Sequence, residues 1–226
     1  MRFPQIALPL LLIGASQPGS PQNQPVAVEL FTSQGCSSCP PADAFAEELA
    51  GRSDVVVVTR PVTYWDRLGW RDTLGRKENT ALQQAYAQHR ISEDGVFTPQ
   101  MVIAGRYSVI GSDRRQAALR IDKARREAAT AIAVVDGKIG IAGSGGPAEV
   151  RLVALRASVP VQIGSGENGG RTIRYSNVVI AETVIGHWNG KPSRFPVPAE
   201  TTKGANRRAI IVQKGAGGPI LAAAYL

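Results

Sequence analysis

Cysteine and histidine are scarce in this chain of 226 residues, which contains only two of each. Two cysteines are too few for the several bridges that hold together a small disulfide-rich scaffold. A structural zinc site usually needs a second pair of cysteines or histidines, but His89 and His187 lie far apart and no third cysteine accompanies them. The composition therefore argues against a disulfide-rich scaffold and against a structural zinc site. We accordingly interpret the two cysteines as one pair.

Cys36 and Cys39 form a Cys-x-x-Cys motif between two predicted elements. The apolar run over residues 26–31 is typical of a buried strand, and apolar residues recur at helical spacing after the motif. Pro40 and Pro41 suit the first turn of that helix, where backbone N–H groups lack helical partners anyway. A helix N-terminus favours a thiolate, the reactive form of cysteine. The pattern predicts thiol chemistry, with Cys36, nearer the open turn, as the nucleophile.

Two other interpretations of the motif stay open. The pair could be a purely structural disulfide, which stabilises little because its loop is short, although secreted proteins keep disulfides for many reasons. The two sulfurs could instead carry Cu(I) as thiolates, without a nearby histidine to complete the site. We expect neither a bound metal nor a cofactor.

The first 15 residues have the features of a secretory signal. Arg2 provides the basic start, residues 6–13 form a short apolar run, and Gly14-Ala15-Ser16 offers small residues for cleavage. The run is far too short for a transmembrane helix, so we expect no transmembrane segment. Residues 16–25 are typical of a flexible leader. The sequence predicts a periplasmic or secreted protein in an oxidising compartment.

Positive charge is concentrated in the C-terminal part of the chain. The formal net charge is +8, and 11 basic but only five acidic residues follow Ala131. Scattered charge of this kind is typical of a solvated surface, while contact with an anionic surface of the cell envelope is the other interpretation. Because the chain has no arginine-rich arm and no basic motif interleaved with aromatic residues, we expect no nucleic-acid partner.

The N-terminal part alternates predicted strands and helices. Hydrophobic residues make up 43% of the chain, enough for a folded core. Thr98-Pro99 precedes a strand, and a proline in such a position is a candidate for a cis peptide bond. The predicted order is strand, helix, strand, helix, strand, strand, helix, over residues 26–31, 40–50, 54–59, 79–89, 100–104, 107–110 and 113–129.

Residues 131–226 are rich in predicted short strands joined by glycine-containing turns. Asp136-Gly137 is a strong hairpin signal, and residues 214–219 separate two apolar runs that predict a closing hairpin. This pattern favours a small antiparallel sandwich or barrel. The stretch 164–170 lacks the Lys-Ser/Thr ending and the following helix of a phosphate-binding loop, so we interpret it as a mobile hairpin loop.

Five motifs of this chain carry a family resemblance. They are Val28 to Asp43, Tyr64-Trp-Asp66, Leu68-Gly-Trp70, Thr98-Pro-Gln-Met101 and Gly170 to Val179. Together they resemble the DUF1223 family of secreted, thioredoxin-like proteins, and the resemblance covers most of residues 26–226. It implies an α/β thioredoxin-like domain over residues 26–130 with an appended antiparallel β-rich C-terminal part over 131–226. The family has no settled function, and Thr63 stands where the resemblance leads us to expect an aspartate.

The motif and the resemblance predict an exported thiol-disulfide oxidoreductase acting on protein thiols or disulfides of the cell envelope. The thioredoxin resemblance implies a cis proline that presents backbone to an extended peptide beside the sulfurs. The candidate residues are Cys36 and Cys39 as the catalytic pair, Thr98 and Pro99 as the substrate-binding pair, and Tyr64, Trp65 and Asp66 as supporting residues.

The alternative prediction is a non-enzymatic, thioredoxin-like binding module of the envelope. In that case the Cys36–Cys39 pair would be a fixed disulfide, and the basic β-rich part would bind the partner. Ready reduction and re-formation of the disulfide would distinguish the enzyme from the module.

Overall fold

The computed structural model describes residues 19–91, 94–199 and 202–226, so the predicted signal peptide lies outside the described residues. None of the helices in these ranges is long and apolar enough to cross a membrane. The order of elements up to the third helix is the predicted one. The elements are β1 (Val26–Thr32), α1 (Pro40–Ala50), β2 (Val55–Pro61), α2 (Lys77–Gln88), β3 (Gln100–Ile103), β4 (Tyr107–Ile110), α3 (Arg114–Arg126), β5 (Thr130–Val135), β6 (Lys138–Gly143), β7 (Ala148–Gln162), β8 (Thr172–Trp188), β9 (Ser193–Pro196), β10 (Arg207–Gln213) and β11 (Ile220–Tyr225).

Eight of the strands form one mixed sheet in the order β11-β10-β7-β8-β2-β1-β3-β4. The N-terminal strands β1 and β2 are parallel, whereas the C-terminal strands β7, β8, β10 and β11 pair antiparallel. A parallel contact between Thr59 of β2 and Val178 of β8 joins the two sets. The fold is therefore a mixed α/β fold, and strands β7, β8, β10 and β11 of the β-rich part continue the sheet of the N-terminal part.

The helices cover both faces of the N-terminal strands. Side chains alternate between the two faces of a strand. Val28 and Leu30 of β1 accordingly pack with α1 and α3, while Phe31 of β1 packs with Tyr86 of α2. This arrangement places α1 and α2 on opposite sides of β1.

The C-terminal strands curl over the face of β2 that lies away from α1. Val56 and Val58 of β2 share a buried cluster with Leu155 of β7 and Ile211 of β10. The hydroxyl of Tyr225, at the end of β11, accepts a hydrogen bond from the backbone N–H of Val57 (2.8 Å) and donates to its carbonyl (3.1 Å). Tyr225 thereby provides hydrogen-bond partners for backbone groups of β2 that the neighbouring strands do not reach.

A smaller sheet with the order β5-β6-β9 lies beside the large one. Its inner face carries Ile132 and Ile139, which pack against Trp188 of β8 and Ile210 of β10. The predicted turn at Asp136-Gly137 joins β5 to β6, and both residues have positive φ, 48° and 68°. Both predicted C-terminal hairpins are confirmed, since β10 also pairs with β11.

Replacing Tyr225 with phenylalanine should destabilise the fold by about 1–3 kcal/mol, because it leaves the buried N–H of Val57 without its partner. The amide of Asn177 would lose its bond to the same hydroxyl (2.8 Å). The free energy of unfolding, measured by urea denaturation, tests this. Tyr107→Phe is the matched control: its hydroxyl bonds Glu127 at the surface, and we expect a change within about 0.5 kcal/mol. Equal effects of the two variants would contradict this role of Tyr225.

Candidate functional site

Cys36 and Cys39 form a disulfide at the junction between β1 and α1. Cys39 is the N-cap of α1, and Pro40 and Pro41 occupy the first helical positions. The carbonyl of Cys39 accepts the backbone N–H of Ala42 at 2.8 Å. The sulfur pair therefore lies at the strand-to-helix junction that the sequence predicts, beside the positive end of the helix dipole.

Both cysteines are fully buried, each with 0% of its surface exposed, although Ser37 and Ser38 between them are exposed. We expected Cys36 to lie on the open side of the turn. The structure corrects that expectation, because another segment of the chain covers the turn. Neither cysteine is therefore open to solvent in the oxidised protein.

The covering segment is the β7–β8 loop, which comprises residues 163–171. The side-chain amide of Asn168, itself fully buried, donates to the carbonyls of Cys36 (2.8 Å) and Gln34 (3.0 Å). A carboxylate oxygen of Glu167 accepts the backbone N–H of Ser37 at 3.2 Å. The loop joins two hairpin strands as expected, but it is docked on the cysteine motif. No pattern in the sequence predicts this contact.

Gln34, two residues before Cys36, connects the motif to the aromatic segment that follows β2. Its side-chain oxygen accepts the indole N–H of Trp70 at 2.8 Å, and its backbone N–H donates to Asp72 at 2.8 Å. The backbone N–H of Asp72 donates in turn to Asp66 (3.1 Å). Hydrogen bonds thus connect Asp66 to the motif through Asp72 and Gln34.

Trp65 and Thr98 form a second connection to the motif. The indole N–H of Trp65 donates to the hydroxyl of Thr98 at 2.8 Å. The Cβ of Trp65 lies 3.3 Å from the position that a Cβ on Gly35 would occupy, so a side chain at residue 35 would press on the tryptophan. The Tyr64 ring lies 6.4 Å from the Trp65 ring, and its hydroxyl is buried without a hydrogen-bond partner among the described residues.

Pro99 follows a cis peptide bond, as predicted. Its Cβ and that of Ala42 in α1 both lie 3.0 Å from the position that a Cβ on Gly111 would occupy. Pro99 therefore packs close to the first turn of α1, the helix that Cys39 caps. Glycine at residue 111 makes this close packing of β3, β4 and α1 sterically possible.

Asp43 is a buried carboxyl group one helical turn after Cys39. Thr32 donates a hydrogen bond to one of its oxygens at 2.8 Å, and the other oxygen has no partner among the described residues. Burial raises the pKa of Asp43 to about 8, opposed by the Thr32 bond and helped by the nearby charge of Asp72. The neighbouring Tyr175 hydroxyl is also buried and without a described partner.

Asp43 is not among the predicted site residues, although its position carries a signal. A charged residue stands there on the apolar face of α1, beside Ala42, Phe45 and Ala46. Residues of that kind are costly to bury and are found where chemistry or a specific bond requires them. Within the described ranges, no cluster of three or more His, Cys, Asp or Glu side chains is arranged to hold a metal ion.

Comparisons with known proteins place this chain in a family. A crystal structure of the protein AGR_C_4864 from Agrobacterium tumefaciens is similar, with 32% identity, a TM-score of 0.73, and coverage of 89% of this chain and 93% of that one. HBP35 of Porphyromonas gingivalis shares the fold at 15% identity and a TM-score of 0.52, over 90% of this chain and 75% of that one. No curated protein matches. The model of a protein family of unknown function matches residues 27–213, and the chain therefore belongs to that family, DUF1223.

Proposed function

We propose that this protein is an exported, thioredoxin-like thiol-disulfide oxidoreductase that acts through Cys36 and Cys39 on protein thiols or disulfides of the cell envelope. The observation that carries the proposal is the closed disulfide at the N-terminus of α1, with Cys39 as the N-cap. The dipole of the helix stabilises a thiolate there. The alternating strands and helices from β1 to α3 support a thioredoxin-like role for residues 26–130.

In the oxidising direction, a partner thiolate attacks the sulfur of Cys36, forms a mixed disulfide and expels Cys39 as a thiolate. A second partner thiolate attacks the partner's sulfur in the mixed disulfide, closes the partner's own disulfide and releases Cys36. Two electrons pass from the partner dithiol to the protein disulfide. The two protons of the partner dithiol are matched by the two protons that Cys36 and Cys39 carry once both are thiols. In the reducing direction Cys36 attacks and Cys39 resolves.

Asp43 supplies a proton to this exchange. With a pKa of about 8 it is protonated at neutral pH and lies on the same buried helix face as Cys39, one turn away. A proton from Asp43 neutralises Cys39 as it leaves, and the carboxylate takes the proton back when Cys39 resolves.

Access to the sulfurs requires release of the Asn168 contacts. Once the β7–β8 loop moves away, the partner peptide lies along Thr98 and Pro99, the docking edge that the thioredoxin resemblance implies. Leu68 and Val96 are exposed apolar residues of the segments that hold Trp65 and Thr98, with 53% and 39% of their surfaces accessible. They provide apolar contacts for a partner chain.

A non-enzymatic envelope binding module is the second candidate function. The complete burial of both cysteines favours it, because a fixed structural disulfide needs no access. In that case the basic C-terminal part would contact an anionic partner, and binding would weaken with salt. The following experiments separate the two functions.

Cys39→Ser removes the resolving thiol and should trap mixed disulfides through Cys36 on envelope proteins. Non-reducing separation followed by mass spectrometry identifies the captured partners. Cys36→Ser is the matched control and should capture far fewer, because it lacks the nucleophile. Equal capture by both variants, or capture by neither, contradicts the oxidoreductase and supports the binding module.

Asn168→Ala should make the disulfide more accessible to small thiols. The variant loses two buried hydrogen bonds, so we expect the rate of reduction by dithiothreitol to rise roughly tenfold through more frequent local opening. Asn206→Ala is the control, because the side chain of Asn206 also bonds backbone, accepting from the N–H of Ala157, but the residue lies just before β10 and outside the β7–β8 loop. Unchanged reduction of the Asn168 variant would show that the loop does not limit access.

Asp43→Asn should change the pH dependence of stability in the oxidised protein. A carboxyl group whose pKa is raised by folding contributes stability that is lost as pH rises, here between about 4 and 8. Across this window the free energy of unfolding of wild type should fall by up to about 1.4 kcal/mol per pH unit relative to that of the variant. Urea denaturation at several pH values measures the difference. Asp136→Asn, in the exposed β5–β6 turn, is the control, and its free energy of unfolding should depend on pH as that of wild type does.

A further inference from the structure

The β7–β8 loop is docked on atoms that the disulfide restrains. Glu167 of the loop accepts the backbone N–H of Ser37 at 3.2 Å, and the Asn168 amide donates to the carbonyl of Cys36 at 2.8 Å. Ser37 and Cys36 both lie in the ring that the bond between Cys36 and Cys39 closes. The positions of the two groups that hold the loop therefore depend on whether this ring is closed or open.

The same loop lies on the indole of Trp70. A Cβ on Gly164 would be 2.9 Å from ring atom Cζ3 of Trp70, and a Cβ on Gly166 would be 3.2 Å from the Cβ of Trp70. The hydroxyl of Ser165, between these glycines, donates to the carbonyl of Gly69 at 2.7 Å. Glycine therefore allows the backbone of the loop to approach the tryptophan closely.

Glu167 brings a negative charge to the motif in the oxidised protein, in which the disulfide sulfurs are uncharged. Within the described ranges, no basic side chain hydrogen-bonds to residues 33–39. Arg171, a basic residue of the loop, donates to the oxygen of the Asn168 amide, whereas the nitrogen of that amide contacts the motif. A second anion at the motif would therefore find no hydrogen-bonded cation to balance it.

Few backbone N–H groups remain for a second anion at this turn. The two prolines at the start of α1 have none. The N–H of Cys39 donates to the carbonyl of Cys36, and the N–H of Cys36 donates to the carbonyl of Ser33, each at 3.1 Å. Glu167 already accepts the N–H of Ser37, which follows Cys36 in the chain. An anion on Cys36 would compete with Glu167 for this N–H.

Reduction of the disulfide creates such an anion. A dithiol such as dithiothreitol gives two electrons and two protons to the pair, closes its own disulfide and leaves Cys36 and Cys39 as thiols. Cys36 then loses its proton to solvent, because the N-terminus of α1 favours the thiolate. Since Glu167 is bonded to the residue after Cys36, the two anions lie within the screening length of about 10 Å at 0.1 M salt and repel each other.

We propose that the β7–β8 loop is a redox-sensitive switch, which is docked on the motif while the disulfide is closed and is released when Cys36 and Cys39 are reduced. Release uncovers Trp70 together with the motif. Docking and oxidation are linked, so a loop that prefers the oxidised motif stabilises the disulfide by the same factor. Weakening the docking should therefore make the disulfide easier to reduce.

The inference rests on the proposed function only in requiring that the disulfide can be opened, and dithiothreitol opens it in the test. Loop release without partner capture by Cys39→Ser would retain the switch and exclude the oxidoreductase. Partner capture without loop release would retain the oxidoreductase and exclude the switch.

Hydrogen exchange of the Asn168 amide and of the Trp70 indole N–H, followed by ¹H–¹⁵N NMR in the full mature protein at pH 7.5, is the readout. Both should exchange at least roughly tenfold faster after reduction, because the loop then opens more often. The indole N–H of Trp188, which donates to the carbonyl of Lys191 at 2.6 Å, is the internal control and should stay protected in both states. Equal exchange in the oxidised and reduced protein, or a disulfide that dithiothreitol cannot open in the folded protein, overturns the switch.

Glu167→Gln tests the charge, because glutamine keeps an acceptor oxygen for Ser37 but not the negative charge. The difference in exchange between the two redox states should shrink several-fold, and the equilibrium with dithiothreitol should shift several-fold toward the reduced protein. Glu47→Gln is the matched control, since this carboxylate of α1 faces Arg174 of β8 at 3.6 Å, and it should behave as wild type does. Equal effects of the two variants would contradict the competition at Ser37.

Gly164→Ala tests the docking itself. The added methyl group would meet the Trp70 ring at 2.9 Å, so the loop should be displaced already in the oxidised protein. Exchange of the Trp70 indole N–H should then approach the rate of reduced wild type. Gly140→Ala in β6, where the nearest atom to an added Cβ lies at 3.7 Å, is the control and should leave this rate unchanged. Wild-type protection of Trp70 in the oxidised Gly164 variant would overturn the assignment of the loop as its cover.

Discussion

The short parallel contact between β2 and β8 is the constraint on which the rest of the structure depends. It consists of the Thr59–Val178 pair, reinforced by the Thr59 hydroxyl, which donates to the carbonyl of Ser176 at 2.5 Å. This contact joins two sets of strands that would otherwise be separate sheets. It also sets the position of the β7–β8 loop above the cysteines and aligns Glu182 with Arg60. The surroundings of the cysteine motif and the buried ion pairs of Arg60 both depend on it.

Burial has opposite consequences for the charge of Asp43 and of Arg60. Around Asp43 the surrounding groups compensate only one carboxylate oxygen, so the low dielectric favours the neutral acid. Around Arg60 two carboxylates accompany the guanidinium, so the charged form persists at full burial. Asp43 can therefore exchange a proton, whereas Arg60 holds a fixed charge. The sheet separates these two environments by placing Thr32 and Glu29 on opposite faces of β1.

Local chemistry explains which features the sequence could predict. The β5–β6 turn follows from Asp136-Gly137, and the place of Cys39 at the start of α1 follows from the prolines after it, because each depends on neighbours within a few residues. The pairing of β8 with β2 and the bond from Asn168 to Cys36 have no such signal. The latter joins residues 132 positions apart, and hydrophobic patterns indicate that a strand is buried without indicating its partner. Asp43 was visible as a polar residue on an apolar face, but its pKa depends on Asp72 and Thr32, which only the fold brings near.

The docking of the β7–β8 loop on the motif imposes an order on the biogenesis of the protein. Asn168 follows Cys36 by 132 positions, so its contacts with the motif cannot form until β7 and the loop after it have been made. The two cysteines are only three positions apart and need none of that chain in order to pair. The disulfide can therefore close before the loop docks beside it.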